Sequence, residues 1–430
     1  MVKLTYYEQD LLNGRYGKDK QKAMEFIVEY AVALGAERLI EIKSVTGGLG
    51  SSKNILEDLK QNNYDIEKIF CEYKLNSSEK VKVTKVCVPT ATLINLLDPH
   101  KIDELHISDD VKKYCDVNEE YVKKLGMQCL YTCAPYLSGF IPMYGEHLAW
   151  MESSAVVMAN SVFGARTNTE SLESTGAASL VGRVPYWGLH IKENRYATHH
   201  INIKTKIDSE FDYGLLGYCI GEIVQEKIPV ITGLEKRPSF EDLKHFGAAL
   251  AASGGVELYH IVGVTPEADT LEEALGYKHP NNYTEIKEKN LEDIYKKINS
   301  SSKDKKIDFI IIGCPHASLI QVSEIVDKIK NKKINRNVKM WILIPYSIKG
   351  LCDRQGYTEV IQSFGAELLT DICPAIAGLV PNNVKNIATN SIKQAYYLTN
   401  LMNCKCWYGT LNNCISGAIS GKWEGVFNEN

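Results

Sequence analysis

The chain has 430 residues, 44% of them apolar and 24% charged, which is enough for two or three folded domains of ordinary soluble composition. A net charge of −4 leaves no basic footprint for nucleic acid or for an anionic membrane surface. No run approaches the roughly eighteen apolar residues of a membrane span, and the start Met1-Val-Lys-Leu-Thr-Tyr-Tyr-Glu8 lacks the apolar core of a signal peptide. The twelve cysteines are therefore expected as thiols or metal ligands in a reducing, cytoplasmic setting.

In chain order, Lys18 to Leu34 carries Ala23, Met24, Ile27, Tyr30, Ala31 and Leu34 on one stripe, which predicts a helix stopped by Gly35. Arg38 to Val45 reads as a strand. Thr46-Gly-Gly-Leu-Gly-Ser-Ser52 follows as a glycine-rich turn before a second helix, without the spacing of a dinucleotide or phosphate loop. Lys82 to Pro89 predicts a further strand, and a helix is expected near Lys101 to His106. The charged, helical stretch 110–125 reads as a linker, so a first α/β domain is expected over residues 1–120.

A middle α/β domain is expected over 121–300 and carries polar chemistry. Met151 to Ser161 predicts a small-residue helix that delivers Asn160, Ser161, Arg166, Thr167 and Asn168 into one turn. Arginine suits two-pronged recognition of carboxylate or phosphate, and the neighbouring amide and hydroxyls could fix the remaining oxygens. Arg183 and Tyr186 form a second such segment with His190, a candidate acid–base group because the reference pKa of histidine lies near neutrality. Adjacent His199 and His200 would point to opposite faces of a strand. The lysine- and serine-rich stretch 290–306 reads as a solvent-crossing boundary.

The last domain, 301–430, has βαβαβ rhythm and predicts a parallel sheet. Its strands are expected at Asp308–Ile312, Val338–Ile344 and Glu367–Asp371, with helices over Ala317–Lys330 and Tyr357–Phe364. In such sheets ligands bind outside the carboxyl ends of the strands. Cys314, Tyr346 with Ser347, and Cys373 each follow such an end, and both cysteines precede a proline that stops the strand. Cys133, in Thr132-Cys-Ala-Pro135, is a third candidate. Three thiolates from separate segments do not match a four-ligand structural zinc site; they match an iron–sulfur centre with one open coordination position. Cys404, Cys406 and Cys414 lack the spacer of zinc knuckles and read as buried thiols.

Cys133 in Thr-Cys-Ala-Pro-Tyr, Cys314 in Gly-Cys-Pro-His and Cys373 in Asp-Ile-Cys-Pro, with the runs Asn160 to Asn168 and Gly182 to His190, resemble the catalytic large subunit of aconitase X. The resemblance runs from Leu11-Leu-Asn-Gly-Arg-Tyr-Gly17 to Gly421-Lys-Trp423, but not through the loop 46–52, from which no residue role is carried over. It implies an aconitase-like fold of several α/β/α domains with parallel sheets around a central metal-cluster cleft. It implies a hydro-lyase that removes water from a hydroxylated carboxylic acid, with Cys133, Cys314 and Cys373 holding a 4Fe-4S or 2Fe-2S cluster or a single iron. Asn160, Ser161, Arg166, Thr167, Asn168, Arg183 and Tyr186 are then candidate substrate-binding residues, and His190, Tyr346 and Ser347 candidate catalytic ones.

The substrate implied is cis-3-hydroxy-L-proline, with mevalonate 5-phosphate as the alternative. Aconitase-like enzymes also use a small swivelling domain, and fewer than thirty residues follow the helix expected over Asn390 to Leu401. The resemblance thus implies a separate small subunit. Two other classes remain: an iron–sulfur binding or redox protein without turnover, in which His316 could serve as a fourth ligand, and a nicotinamide-dependent enzyme. The absence of Gly-x-Gly-x-x-Gly after any strand argues against the latter.

Overall fold

The computed structural model describes residues 2–47, 60–61, 63, 81–99, 101, 108–300, 304–377, 380–381, 384–402 and 404–427. The glycine-rich turn from residue 48 with the helix after it, and the helix near 101–106, lie outside the described residues apart from isolated positions. The chain divides into two compact units, one formed by 1–131 with 141–195 and the other by 132–140 with 196–430. Among the described residues no helix is long and apolar enough to cross a membrane.

In the first unit the helix Lys18–Ala33 buries Ala23, Met24, Ile27 and Ala31, and Gly35 follows at a φ of 71°. The stretch 38–46 forms two strands where one is expected, β1 (Leu39–Glu41) and β2 (Val45–Thr46). β2 lies between β3 (Thr90–Ala91) and β4 (Ala149–Trp150) in a parallel sheet, whereas β1 pairs antiparallel with β5 (Arg183–Pro185). No strand forms over 82–88. There the backbone spends its donors one by one: Thr84 N–H on the Asp19 carboxylate, Val86 on Leu125 and Cys87 on Ser179, so no ladder forms. The expected linker is the helix Asp109–Lys124, whose Tyr114, Cys115, Tyr121 and Val122 join the core. The expected helix over 151–161 is α-helical at Ser153–Val157 and π-helical at Met158–Val162.

The second unit holds two all-parallel sheets. One has the order β8 (His260–Ile261), β7 (Pro229–Thr232), β6 (His199–Ile203), β9 (Asn282–Ile286). The other has the order β12 (Glu367–Thr370), β11 (Lys339–Ile344), β10 (Phe309–Ile312), β13 (Asn386–Thr389), β14 (Lys405–Tyr408). β10 is apolar throughout because both its faces are covered: Phe309, Ile310, Ile311 and Ile312 are all buried, each side chain contributing about 1.5–3 kcal/mol. The helices Leu319–Ile329 and Tyr357–Phe364 pack Val322, Ile325, Ile361 and Phe364 into the core shared with Ile310, Ile312 and Ile342. The stretch from 290 is not a solvent crossing. It is the helix Glu288–Asn299, with Leu291, Ile294 and Tyr295 buried at helical spacing.

In the second sheet the chain runs from β10 outward to β12 and returns to β13, so the order reverses beside β10. Gly313 leaves β10 at a φ of 98° with Leu343 O only 2.2 Å from where a Cβ would stand. Only glycine fits there, and it directs the next residue, Cys314, off the strand end.

Candidate active site

Three of the sequence-predicted residues lie in the second unit. Cys314 follows β10, Cys373 follows β12, and Cys133 lies in the segment 132–140 that belongs to this unit. None of the three is in a disulfide, and the Cys314–Pro315 peptide is cis. Their segments meet at His316, which is 1% exposed. Its Nδ1 is 2.9 Å from Thr132 Oγ1, its Nε2 is 3.0 Å from Ile372 O, and its main-chain N–H donates to Cys133 Sγ at 3.4 Å. Lys244, fully buried, donates to His316 O at 2.9 Å and to Gln321 Oε1 at 2.5 Å. Burial pushes the Lys244 pKa down, while Glu210, Glu241 and the sulfurs of Cys133 and Cys314 act in the opposite sense.

The network continues outward. Gln321 Nε2 donates to Glu210 Oε2 at 2.8 Å, and His245 Nε2 stands 3.1 Å from the same carboxylate. Burial raises the Glu210 pKa, but His245, Lys244 and Gln321 outweigh it and hold the carboxyl at about 2. A cavity of about 580 Å³ opens along this network, lined by Glu210, Glu241, His245, Gln321 and Asn390 and not by the cysteines. Tyr346 and Ser347 start the helix Tyr346–Arg354 after β11; Tyr346 is 52% exposed, and Ser347 Oγ lies 2.8 Å from Ser138 Oγ.

A second polar cluster lies within the first unit. His190 is fully buried, with its Nδ1 3.0 Å from Nδ1 of the half-buried His147. Arg166 Nη1 donates to His190 O at 3.3 Å. Among the described residues neither Arg166 Nε nor His190 Nε2, both buried, has a hydrogen-bond partner. Burial, followed by the charges of Arg166, Arg38 and Arg195, lowers the His147 pKa to about 4; burial, followed by His147, Arg195 and Arg166, lowers that of His190 to about 3. The His190 pKa thus lies well below the near-neutral value behind its expected acid–base role, and its imidazole is neutral at pH 7.

The remaining predicted residues of this unit make internal bonds. Asn160 exchanges hydrogen bonds with the backbone of Thr167 and accepts from Arg195 at 3.1 Å. Thr167 Oγ1 accepts from Trp150 N–H and donates to Asn168 O. Asn168 accepts from Leu189 N–H at 2.9 Å, and Gly188 is required beneath it because a Cβ would stand 2.1 Å from its Oδ1. Arg183 pairs with the buried Glu8 at 2.9 Å, Tyr186 lies under the Arg38 guanidinium at 3.7 Å, and Ser161 is buried. Sequence reading passed over Thr132, His147, Arg195 and Lys244. Among these only Thr132 carried a signal, its place beside Cys133.

Sequence profiles of the aconitase X first, second and third domains match residues 1–193, 197–296 and 307–420. The phosphomevalonate dehydratase large subunit of Methanocaldococcus jannaschii is 35% identical over 420 residues, spanning 96% of this chain and 99% of that protein. The chain belongs to the aconitase X family. The phosphomevalonate dehydratase large subunit of Thermococcus kodakarensis is 36% identical, spanning 92% of this chain and 94% of its own length. The cis-3-hydroxy-L-proline dehydratase of Hypocrea jecorina is 32% identical over 98% of this chain but 70% of that protein. The crystal structure of Thermococcus kodakaraensis aconitase X in its holo-form superimposes with a TM-score of 0.81 at 33% identity, covering 97% of this chain and all of that one. These aconitase X relatives are dehydratases, and this chain is a hydro-lyase of the same family with its mixed α/β fold of parallel sheets.

The family implies an iron–sulfur centre. The donor chemistry fits: three cysteines on segments joined through one histidine. Among the described residues, however, no three His, Cys, Asp or Glu side chains are already arranged to hold a metal ion.

Proposed function

We propose that this chain is the large subunit of a dehydratase acting on an anionic hydroxy acid, with mevalonate 5-phosphate as its substrate. The observation that carries the choice is the charge around the His147–His190 pair. The charged groups acting on the two imidazoles, Arg38, Arg166 and Arg195, are all positive. Such a cluster favours a substrate with phosphate and carboxylate over the zwitterion of a cyclic amino acid, whose charges cancel. Relatives named for phosphomevalonate also match this chain nearly end to end. Cis-3-hydroxy-L-proline is the second reading, supported by 32% identity across 98% of the chain.

Dehydration breaks a C–O bond and a neighbouring C–H bond, forms a C=C bond and releases hydroxide and proton as water. Cys133, Cys314 and Cys373 would hold the iron–sulfur cluster or iron, which would supply Lewis acidity toward the departing hydroxyl. Arg166 binds an anionic group through its unpaired Nε, and His190 Nε2 gives or takes a hydrogen bond beside it. An anion held there would raise the His190 pKa toward the range useful for proton transfer. Tyr346 and Ser347 stand at the strand-end rim as further polar groups, and a small subunit on a separate chain completes the enzyme.

The test is turnover on both purified substrates by the chain assembled with its small subunit, with iron and sulfide analysis of anaerobically purified protein. We expect dehydration of mevalonate 5-phosphate and not of hydroxyproline. The opposite preference installs the second reading, and activity on neither removes both. Serine at position 133, 314 or 373 should each abolish iron retention; a variant that keeps full iron removes that cysteine from the ligand set.

A further inference from the structure

We infer that His316 is the positioning residue of the thiolate centre, holding the three cysteine segments in register while itself staying off the metal. The inference rests on the reading that Cys133, Cys314 and Cys373 bind iron. Its geometry can be traced bond by bond. Ile372 O can only accept, so His316 Nε2 carries the proton, and Nδ1 then accepts from the Thr132 hydroxyl. Thr132 Oγ1 in turn accepts from Ala134 N–H at 3.0 Å, which leaves its own hydrogen available for the imidazole. Both ring nitrogens are thereby occupied, which leaves His316 without a free lone pair for iron.

Each of these bonds reaches a different cysteine segment. Thr132 precedes Cys133, Ile372 precedes Cys373, and His316 lies two residues after Cys314. The main-chain N–H of the same residue reaches Cys133 Sγ, and its carbonyl accepts from the buried Lys244 Nζ. Three thiolates gathered around one ion repel one another, and each stands on a separate loop that must be ordered before it can bind. A single buried side chain bonded to two of the loops from the third removes much of that ordering cost in advance.

The experiment uses full-length protein reconstituted anaerobically with iron and sulfide. It compares wild type with His316→Ala and the milder, nearly isosteric Thr132→Val, which removes the bond to Nδ1 together with the acceptor of Ala134 N–H. Iron loss to a competing chelator and the electron paramagnetic resonance spectrum, with its nitrogen couplings, are the readouts. Circular dichroism selects the variants that are folded. We expect His316→Ala to lose iron roughly 10–100-fold more readily and Thr132→Val to shift the same way by less, in line with outer-shell partners of metal ligands. The wild-type spectrum should show no strongly coupled histidine nitrogen. Chelator resistance equal to wild type in both variants would overturn the positioning role. A strong histidine coupling that vanishes in His316→Ala would make His316 a ligand and overturn it as well. If the serine variants of the cysteines keep their iron, the parent reading has failed instead, and that outcome is distinct from both.

Discussion

His147 and His190 face each other through Nδ1 atoms 3.0 Å apart, so one must donate and the other accept. Two neutral imidazoles of opposite tautomer satisfy this, and the surrounding guanidiniums disfavour adding a proton to either. With pKa values of about 4 and about 3 in the folded chain against an unfolded value of 6.5, acid is taken up first by the unfolded chain. The stability tied to the neutral pair is therefore complete above pH 6.5 and is lost as the pH falls toward 4 and 3. His190→Gln, which cannot be protonated, should lie well below wild type in urea midpoint at pH 7.5, with the gap narrowing as the pH is lowered to 4.5. Parallel midpoint curves over that range would rule out the linkage. None of this was legible beforehand. Residue types identified His190 and Arg166 as polar groups worth watching, but not that an isolated His147 stands against them. Nor could they tell that Asn160, Thr167 and Asn168 spend their side chains holding their own loop.

At the scale of elements, the last sheet was readable because its strands are continuous apolar runs separated by helices of clear period, and a doubly covered parallel strand permits little else. The helical character of 110–125 was legible but the stretch reads as a linker, and 290–306 reads as a solvent crossing, because charge dominates their composition. A stripe of four buried apolar residues in one and three in the other suffices to dock them, and the charged remainder faces outward. The stretch 82–88 had strand composition but no partner strand within reach, and strand propensity expresses itself only where a ladder exists. The most demanding element boundary is the end of β10. Gly35 and Gly313 both sit at positive φ, 71° and 98°, but nothing lies within 4 Å of a Cβ at Gly35, whereas Leu343 O lies 2.2 Å from one at Gly313. Gly35→Ala should cost only the left-handed conformation, about 1–2 kcal/mol. Gly313→Ala should cost more, and should also lower iron retention because the turn that carries Cys314 must shift. Thermal melts of both variants and the iron content of each check the contrast. Equal melting losses would mean that β11 yields readily at Leu343.

For the molecule as a whole, the proposal that a separate small subunit completes the enzyme draws on two independent facts. The relatives that this chain matches nearly end to end are named as large subunits, while the cis-3-hydroxy-L-proline dehydratase of Hypocrea jecorina extends well beyond the region it shares with this chain. The second unit also exposes apolar side chains on the segments that follow β11 and β12: Leu351 is 42% exposed on the helix after β11, and Ile376 is 59% exposed three residues beyond Cys373. Single exposed apolar residues are common on any surface, but here they follow two neighbouring strand ends, where a second chain could exclude water from the metal. The chain alone is expected to keep its iron and turn over slowly or not at all, and co-expression with the separately encoded small subunit should restore activity. Leu351→Asp and Ile376→Asp should leave the iron content unchanged while weakening assembly roughly 10-fold or more, the penalty for burying a carboxylate without a partner. Size-exclusion chromatography with activity titration against added small subunit measures both effects. Full turnover by the purified single chain would remove the partner from the mechanism, and unaltered assembly by both aspartate variants would move the interface away from this rim.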